Sequence, residues 1–256
     1  TVIDNLLTGK KENLAAVMDK INFIQDDMGN YDVAIKALQD VDVVFHQGAL
    51  PSVPKSVDDP AATHQHCVNA TFNMLLAARD AGVKRFVYAA SSSAYGESPS
   101  LPKVESMPTD PLSPYAVAKL TGEYYCSVFY KVFGLQTIAL RYFNVFGPFQ
   151  DPTSQYAAAI PAFVTSILKD TPPTIYGDGE QTRDFTYIDN VVHANLLAAG
   201  AKETRGQVIN IACGDRISVN QIINQINQIV GKDVKPNYTD SRPGDIKHSF
   251  ADISKA

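Results

Sequence analysis

Two side chains that could exchange a proton lie one helical turn apart near the middle of the sequence. Tyr115 and Lys119 are four positions apart in a segment that begins Ser-Pro, and proline is favoured at the first position of a helix. A helix that starts at Pro114 places both side chains on one face. A positive charge beside a phenol favours the phenolate, so we expect Lys119 to lower the pKa of Tyr115 and make it a general base.

Three consecutive hydroxyl side chains, Ser91–Ser93, end an apolar run that starts at Phe86. Both the odd and the even positions of the run are apolar, so both faces of the strand are apolar. This is typical of a parallel strand covered by helices on both sides. Ligands of such sheets bind beyond the carboxyl ends of the strands, so we expect these hydroxyls to face the same cleft as Tyr115. The alternative is an N-cap or turn cluster without a chemical role.

Short β-rich segments alternate with amphipathic helical segments, and this order predicts a Rossmann-like α/β fold with a doubly wound parallel sheet. The predicted strands are Ile21–Gln25, Val41–His46, Arg85–Ser91, Gln136–Tyr142 and Gln207–Ala212. The predicted helices are Tyr31–Gln39, Pro60–Ala81, Pro114–Phe133, Ala157–Lys169, Asp189–Ala201 and Val219–Val230. Glycines and prolines punctuate shorter elements after Gly147. We therefore predict a main domain at residues 1–147 and a smaller substrate-binding α/β region at 148–256, some of whose segments return to the main sheet.

The composition predicts a chain that folds without disulfides or metal. It has 256 residues, 45% of them hydrophobic, and a formal charge of -5 without charge blocks, which offers no basic surface for nucleic acid. Cys67, Cys126 and Cys213 lack the spacing of metal ligands, so we predict no metal site and a reducing, cytoplasmic location. No apolar run is long enough to cross a bilayer, so no membrane contact is expected.

A carboxylate at the end of the first apolar segment indicates which dinucleotide could bind. Asp4 follows a short strand-like segment, where it can accept both hydroxyls of an adenosine ribose and would repel a 2′-phosphate. This position favours NAD over NADP. Lys10 and Lys11 follow closely, and they can also be interpreted as phosphate ligands or as part of a solvated helix face.

Six segments, spread over most of the chain, carry a family resemblance. They are Asp4–Gly9, His46–Ala49, Val68–Thr71, Ser91–Gly96, Tyr115–Lys119 and Arg141–Pro148. In this order they resemble the extended short-chain dehydrogenase/reductases of the NAD-dependent epimerase/dehydratase family. The resemblance implies that the catalytic residues are Ser91, Tyr115 and Lys119. It implies NAD as the cofactor, in contact with Asp4, Asn5, Gly9, Asp27, Met28, Gln47, Ala49, Asn69, Tyr115, Lys119 and Tyr142.

Two later segments, Gly177–Phe185 and Arg242–Asp245, resemble the nucleotide-sugar clamp of the UDP-hexose 4-epimerase branch. The implied substrate contacts are Ser52, Ser92, Ser93, Asn144, Gln150, Tyr176, Arg183, Arg242, Asp245 and Ser249. Ser249 matches a family position whose bulk limits the room at C2 of the sugar, so a serine leaves space for an N-acetyl group. We therefore predict epimerisation of UDP-N-acetylglucosamine and UDP-N-acetylgalactosamine, with possible action on UDP-glucose and UDP-galactose. The resemblance also implies a homodimer.

Other chemistry stays open. The related 4,6-dehydratases need an acid and a base beside the catalytic hydroxyl, and Ser92 and Ser93 stand there instead, which favours epimerisation. A UDP-glucuronate 4-epimerase or a decarboxylase is excluded less firmly. A non-catalytic protein that senses NAD is a further alternative, because folds of this kind also occur in proteins that have no catalytic activity.

The sequence departs from the family pattern at its start. No Gly-x-Gly-x-x-Gly or Gly-x-x-Gly-x-x-Gly motif occurs, so we expect the strand, turn and helix that bind the pyrophosphate to precede Thr1 or to be absent. The end of the sequence is also shorter than the family's. We therefore expect this span alone to bind NAD weakly.

Overall fold

The computed structural model describes residues 1–151, 159–241 and 247–256, and the chain divides into two compact units. The first unit consists of residues 1–94, 111–141 and 193–209. The second consists of residues 95–110, 142–192 and 210–256. Each unit is therefore assembled from segments that are distant in the sequence.

Strands and helices alternate along the chain up to Tyr142, and after it several short strands follow one another. The strands are β1 Val2–Ile3, β2 Phe23–Ile24, β3 Val43–His46, β4 Arg85–Ser91, β5 Gln136–Tyr142, β6 Val145–Phe146, β7 Thr174–Tyr176, β8 Thr182–Arg183, β9 Thr186–Tyr187, β10 Gln207–Ile211, β11 Ile217–Ser218, β12 Asn237–Thr239 and β13 His248–Ser249. The α-helices are α1 Tyr31–Ala37, α2 Val53–Asp58, α3 Pro60–Thr63, α4 Ala70–Asp80, α5 Pro114–Phe133, α6 Ala159–Leu168, α7 Ile188–Gly200 and α8 Val219–Val230. The 3₁₀ helices are Lys11–Lys20 and Ser92–Tyr95, and His64–Asn69 is a π-helical turn.

A four-stranded sheet with the order β10-β5-β4-β3 forms the centre of the first unit. Strands β3 and β4 pair in parallel, with His46 opposite Tyr88, and β1 and β2 form a separate parallel pair. Phe86, Tyr88 and Ala90 of β4 belong to one buried cluster with Leu75 of α4 and with residues of α1 and α5. The parallel strands and the helices between them confirm the predicted α/β class.

One predicted helix is divided in the structure. The sequence predicts a single helix over Pro60–Ala81, but α3 and α4 are separated by the π-helical turn. The first part is short, and the Asp59 side chain caps it by accepting a hydrogen bond from the Ala62 N–H at 2.9 Å. A π-helical turn inside a helix is frequent at functional sites.

The second unit contains short sheets and a core rich in isoleucine. Its sheets have the orders β12-β7, β11-β8-β13 and β6-β9. Helices α6 and α8 pack around buried residues that include Ile167, Ile175 and Ile223. Helix α8 begins with a capping box, in which Ser218 and Gln221 bond reciprocally.

Candidate active site

The two predicted catalytic hydroxyls lie together in the first unit. Ser91 is the last residue of β4, and Tyr115 stands in the first turn of α5. The helix begins there because the Ser113 side chain accepts a hydrogen bond from the Ala116 N–H at 3.1 Å and Pro114 occupies the first position. The Ser91 side chain lies close enough to Tyr115 to lower the pKa of that phenol. A strand end and a helix start thus bring these two residues together.

Ser91 Oγ also receives two hydrogen bonds from Ser93. The Ser93 backbone N–H donates at 3.2 Å and its hydroxyl donates at 2.9 Å. Since Ser91 accepts both, its own proton stays available for the oxygen of Tyr115 or of a substrate. Ser92 and Ser93, both predicted substrate contacts, belong to the 3₁₀ turn that follows β4.

Lys119 is almost completely buried, with an exposed fraction of 4%. Its Nζ donates to the Ala89 carbonyl oxygen at 2.7 Å. The same nitrogen lies 5.1 Å from the centre of the Tyr88 ring and 6.0 Å from the centre of the Tyr115 ring. Burial lowers the pKa of Lys119 to about 8, so the side chain is still mostly an ammonium at pH 7.

The prediction that Lys119 makes Tyr115 acidic is wrong for this structure. Burial raises the pKa of Tyr115 to about 12, and the nearby Ser91 hydroxyl opposes that rise only in part. The reason is the position of the ammonium, which is hydrogen-bonded to Ala89 and lies 6.0 Å from the ring centre of Tyr115. Tyr115 is therefore a neutral phenol that can donate a proton, and it needs a further positive charge nearby to accept one.

A cavity of about 310 Å³ opens in the first unit where β1, β2 and β3 end. Most of the predicted cofactor contacts line it, namely Asp4, Asn5, Gly9, Asp27, Met28, Gln47 and Ala49. Asn69 is not among the lining residues, and its Nδ2 donates to Gln65 Oε1 at 2.7 Å. Tyr142 belongs to the second unit.

The loop after β1 holds the Asp4 carboxylate in place. The Leu6 N–H donates to Asp4 Oδ1 at 2.7 Å, and Leu6 has a left-handed φ of 59°. Gly9 approaches the same carboxylate so closely that a Cβ there would lie 2.7 Å from Oδ2. A glycine is therefore required if Asp4 is to keep this position, in which two acceptor oxygens are held beside the cavity.

Asp27 is held by contacts that include a residue not predicted from the sequence. The Gly29 N–H donates to Oδ1 at 2.7 Å, and Asn5 Nδ2 donates to Oδ2 at 3.2 Å. His66 Nδ1 lies 3.5 Å from the same Oδ2, and His66 also lines the cavity. His66 belongs to the π-helical turn. The sequence predicts one continuous helix there, and a single histidine within a predicted helix does not indicate a place in a cavity.

These residues fit the adenosine part of a dinucleotide. The Asp4 carboxylate can accept ribose hydroxyls, and Met28, Leu50 and Pro51 supply apolar lining for a base. Gly48 lets Met28 approach, because a Cβ at position 48 would lie 2.6 Å from the Met28 sulfur.

Ser52 has a structural contact in the first unit. Its Oγ accepts a hydrogen bond from the Lys55 N–H at 3.2 Å and caps α2. This contact explains the serine without a ligand, so its predicted role in substrate binding stays a prediction.

The predicted substrate residues of the second unit are Asn144, Gln150, Tyr176, Arg183, Arg242, Asp245 and Ser249, of which Arg242 and Asp245 lie outside the described residues. Asn144 has a positive φ of 32°, and its Nδ2 donates to the Asp184 carbonyl at 2.9 Å. Gln150 Nε2 donates to the Val145 carbonyl at 2.9 Å. Tyr176 is partly exposed at the end of β7.

Arg183 and Ser249 are neighbours in the second unit. Strands β8 and β13 pair in parallel and place Arg183 opposite Ser249. Arg183 Nη1 donates to the carbonyl oxygens of Thr182 at 3.0 Å and Lys247 at 3.1 Å. Two residues that are distant in the sequence, and that were predicted to contact the diphosphate and the sugar, are thus held on adjacent strands.

Two further features concern metals and membranes. Within residues 1–151, 159–241 and 247–256, no three or more His, Cys, Asp or Glu side chains are grouped so that they could hold a metal ion. Over the same ranges, no helix combines the length and the hydropathy that a membrane span requires.

Comparisons with known proteins agree on one family. The family model described as "NAD dependent epimerase/dehydratase family" matches residues 1–212. A UDP-glucose 4-epimerase of Mycolicibacterium smegmatis is 35% identical over 258 residues, which cover 99% of this chain and 82% of that protein. The structure of a UDP-N-acetylglucosamine 4-epimerase from Methanobrevibacter ruminantium M1, in complex with UDP-N-acetylmuramic acid, superposes with a TM-score of 0.96 at 43% identity, over 99% of this chain and 81% of that one. The structure of a UDP-glucuronic acid 4-epimerase from Bacillus cereus, in complex with UDP-glucuronic acid and NAD, superposes with a TM-score of 0.88 at 37% identity, over 99% and 82%.

A Rossmann-like sheet, a cavity lined by a carboxylate that can accept ribose hydroxyls, and a serine and a tyrosine close to a buried lysine are typical of a dinucleotide-dependent enzyme that moves a hydride and a proton. The chain belongs to the NAD-dependent epimerase/dehydratase family, and its cofactor is NAD. The predicted family and cofactor are confirmed. The individual roles of the site residues stay predictions.

Proposed function

We propose that the protein is a UDP-hexose 4-epimerase that interconverts UDP-N-acetylglucosamine and UDP-N-acetylgalactosamine, with weaker action on UDP-glucose and UDP-galactose. The observation that carries the proposal is that Ser91 and Tyr115 are neighbours and that the buried ammonium of Lys119 lies 6.0 Å from the centre of the Tyr115 ring. The similarity to the UDP-N-acetylglucosamine 4-epimerase from M. ruminantium supports it.

In the proposed reaction, Tyr115 moves the proton of the sugar 4-hydroxyl. Its oxygen takes the proton while Ser91 donates a hydrogen bond to the same sugar oxygen. NAD, when bound, supplies the acceptor for the hydride that leaves C4. The 4-keto sugar must then present its other face, so that the hydride would return to C4 from the opposite side while Tyr115 returns the proton to the C4 oxygen. Lys119 offers its ammonium to the cofactor ribose.

The pKa of Tyr115 sets a condition on this reaction. A phenol with a pKa of about 12 accepts a proton poorly at neutral pH, and a cation close to it in a low-dielectric site lowers that pKa. We therefore expect Tyr115 to titrate at a lower pH when NAD is bound than in its absence. Ultraviolet absorbance of the tyrosinate, compared between wild-type protein and Tyr115→Phe, measures this difference directly.

Substitution of Tyr115 tests the catalytic role. We expect Tyr115→Phe to reduce kcat by about 10²- to 10⁴-fold, the range for loss of general acid–base catalysis, while the affinity for NAD and the thermal midpoint change little. Tyr130→Phe on the same helix is the matched control and should keep the wild-type rate. Full turnover by Tyr115→Phe would end the proposal.

We assign the choice of hexose to Ser249. Its small side chain stands opposite Arg183, and a bulky residue there would reduce the room for an N-acetyl group. Ser249→Tyr should therefore lower kcat/KM for the acetylated pair more than for UDP-glucose and UDP-galactose. If Ser249→Tyr keeps the wild-type preference for acetylated sugars, the position is not the gate.

A second candidate is 4-epimerisation of UDP-glucuronate. The similarity to the B. cereus UDP-glucuronic acid 4-epimerase favours it, and the same three catalytic residues would serve. Incubation with UDP-glucuronate in parallel with the acetylated sugar distinguishes the two. A higher kcat/KM for the uronate would replace the first candidate by the second.

We further propose that the protein acts as a homodimer. Helix α5 exposes an apolar stripe of Val117, Tyr124, Val128 and Val132 on the face that does not pack in the first unit. A second copy of the chain can cover such a stripe with the same stripe, as a two-fold interface requires. Sedimentation should find a dimer, and Val128→Glu should give a monomer. A wild-type monomer at micromolar concentration would contradict the proposal.

A further inference from the structure

We infer that Tyr88 is a positioning residue for Lys119, because it contacts that lysine at both its backbone and its ammonium. The Tyr88 hydroxyl donates a hydrogen bond to the Lys119 carbonyl oxygen at 3.3 Å. The Lys119 Nζ lies 5.1 Å from the centre of the Tyr88 ring. A single side chain from β4 therefore contacts both the backbone carbonyl and the side-chain ammonium of Lys119. The inference rests on the proposed catalytic role of Lys119.

Both contacts suit a charged lysine in a buried site. Tyr88 is completely buried, and burial raises its pKa well above the usual value, so the hydroxyl keeps its proton and remains a donor. The ring face attracts a cation, and this attraction is strongest where water is excluded. The ring therefore partly offsets the cost of burying the ammonium, while the hydroxyl fixes the turn of α5 that carries it.

Gly122 is an independent sign that this contact is built into the fold. It lies in the middle of α5, where glycine is less favourable than alanine. A Cβ at this position would lie 2.3 Å from the Tyr88 oxygen and 2.4 Å from the ring carbon that bears it. The glycine thus allows Tyr88 to approach the helix closely enough to reach Lys119.

The orientation of the Tyr88 ring is fixed from the next strand. His46 stacks on Tyr88 with ring centres 5.7 Å apart and planes inclined by 18°. The Thr71 hydroxyl donates to the Cys67 carbonyl at 2.6 Å, and it lies 2.9 Å from His46 Nε2. Since Thr71 has one proton and gives it to Cys67, His46 Nε2 must be the donor in the second bond.

The titratable groups around Lys119 are neutral, and Glu123, which interacts with Tyr88, is paired with Arg141. His46, Cys67, Tyr88 and Tyr115 interact with it or with one another. Burial lowers the pKa of His46 to about 3 and raises the pKa of the other three, so all four are neutral at pH 7. Among these five groups the ammonium is therefore the charged one, and the Tyr88 ring, at 5.1 Å, is nearer to it than the Tyr115 ring, at 6.0 Å.

The experiment separates the hydroxyl from the ring. Tyr88→Phe removes the hydroxyl and keeps the ring, whereas Tyr88→Leu removes both. The control is Tyr95→Phe, since Tyr95 is equally buried and its hydroxyl donates to Asn210 in the second unit. For each variant, kcat, KM and the dependence of kcat on pH are measured with UDP-N-acetylglucosamine, and NAD affinity is measured by calorimetry.

We expect Tyr88→Phe to lower kcat by about 3- to 10-fold, as for loss of one hydrogen bond, without moving the alkaline limb of the pH profile. Tyr88→Leu should lower kcat further and move that limb to lower pH, because the protonated lysine loses the ring. Tyr95→Phe should change neither quantity. If both Tyr88 variants behave like Tyr95→Phe, the inference is overturned.

Lys119→Met separates this inference from the proposal on which it rests. If Lys119→Met retains wild-type kcat, the lysine has no catalytic role and both fail. If Lys119→Met is inactive while Tyr88→Phe and Tyr88→Leu match the control, the catalytic role of Lys119 stands and the positioning role of Tyr88 is wrong.

Discussion

Replacement of Lys119 by methionine should stabilise the protein while inactivating it. Burial lowers the pKa of Lys119 from 10.5 to about 8, so the buried ammonium destabilises the folded state. At about 1.4 kcal/mol per pH unit, that difference corresponds to about 3 kcal/mol at neutral pH. Methionine has a similar shape and no charge, but it loses the hydrogen bond to Ala89, worth about 1 kcal/mol. We therefore expect the free energy of unfolding to rise by about 1–2 kcal/mol at pH 7.

The stability advantage of Lys119→Met over wild type should shrink as the pH rises, because proton binding is linked to folding. The pKa of Lys119 is lower in the folded state than in the unfolded chain, so the unfolded chain binds more protons between about pH 8 and 10.5. As the pH increases from about 8 to 10.5, the free energy of unfolding of the wild type therefore rises relative to that of Lys119→Met. The cost of the ammonium is fully present below about pH 8 and is gone above about pH 10.5.

Urea unfolding of wild-type protein and Lys119→Met at pH 7 and at pH 10 measures this effect. The control is Lys84→Met, which removes an exposed lysine paired with Asp42 and should change stability by less than about 1 kcal/mol at either pH. The reasoning is refuted if Lys119→Met is less stable than wild type at pH 7, or if its advantage is the same at both pH values.

Three further substitutions test other parts of the account. Asp4→Asn should reduce the preference for NAD over NADP by about tenfold in calorimetric binding, because the charge that repels a 2′-phosphate is gone, and an unchanged ratio would contradict this. Glu123→Ala should lower the free energy of unfolding by about 3–5 kcal/mol, since it removes the buried carboxylate that Arg141 binds at both oxygens, at 2.8 and 2.7 Å. Asp184→Ala should lower the thermal midpoint by several degrees, because its carboxylate accepts from the N–H groups of Cys213, Gly214 and Ala251, and a wild-type midpoint would show that these bonds are dispensable.

The elements that carry the catalytic residues could be predicted closely from the sequence. Strand β4 and helix α5 begin and end at the predicted residues. The reason is local, because the strand is an uninterrupted apolar run and the helix has a serine cap, a proline at its first position and Gly134 with a left-handed φ after its end. Where several local signals agree, the boundaries follow from the sequence.

Other features depend on tertiary contacts that a sequence pattern does not contain. The raised pKa of Tyr115 comes from burial, whereas the four-residue spacing to Lys119 indicated only that the two share a face. The π-helical turn that brings His66 to Asp27 has no signal in hydrophobic periodicity, and the same holds for the contact between Tyr88 and Lys119. Residues of this kind are found only when the burial and the partners of each side chain are known.

The measurement that bears most directly on the proposed activity is the conversion of UDP-N-acetylglucosamine by the protein in the presence of NAD, with the products resolved by NMR. We expect that UDP-N-acetylgalactosamine accumulates to equilibrium with wild-type protein and that Tyr115→Phe reaches that equilibrium at least about 100-fold more slowly. If wild-type protein binds both NAD and the sugar nucleotide but forms no C4 epimer, the protein is not a 4-epimerase of this substrate.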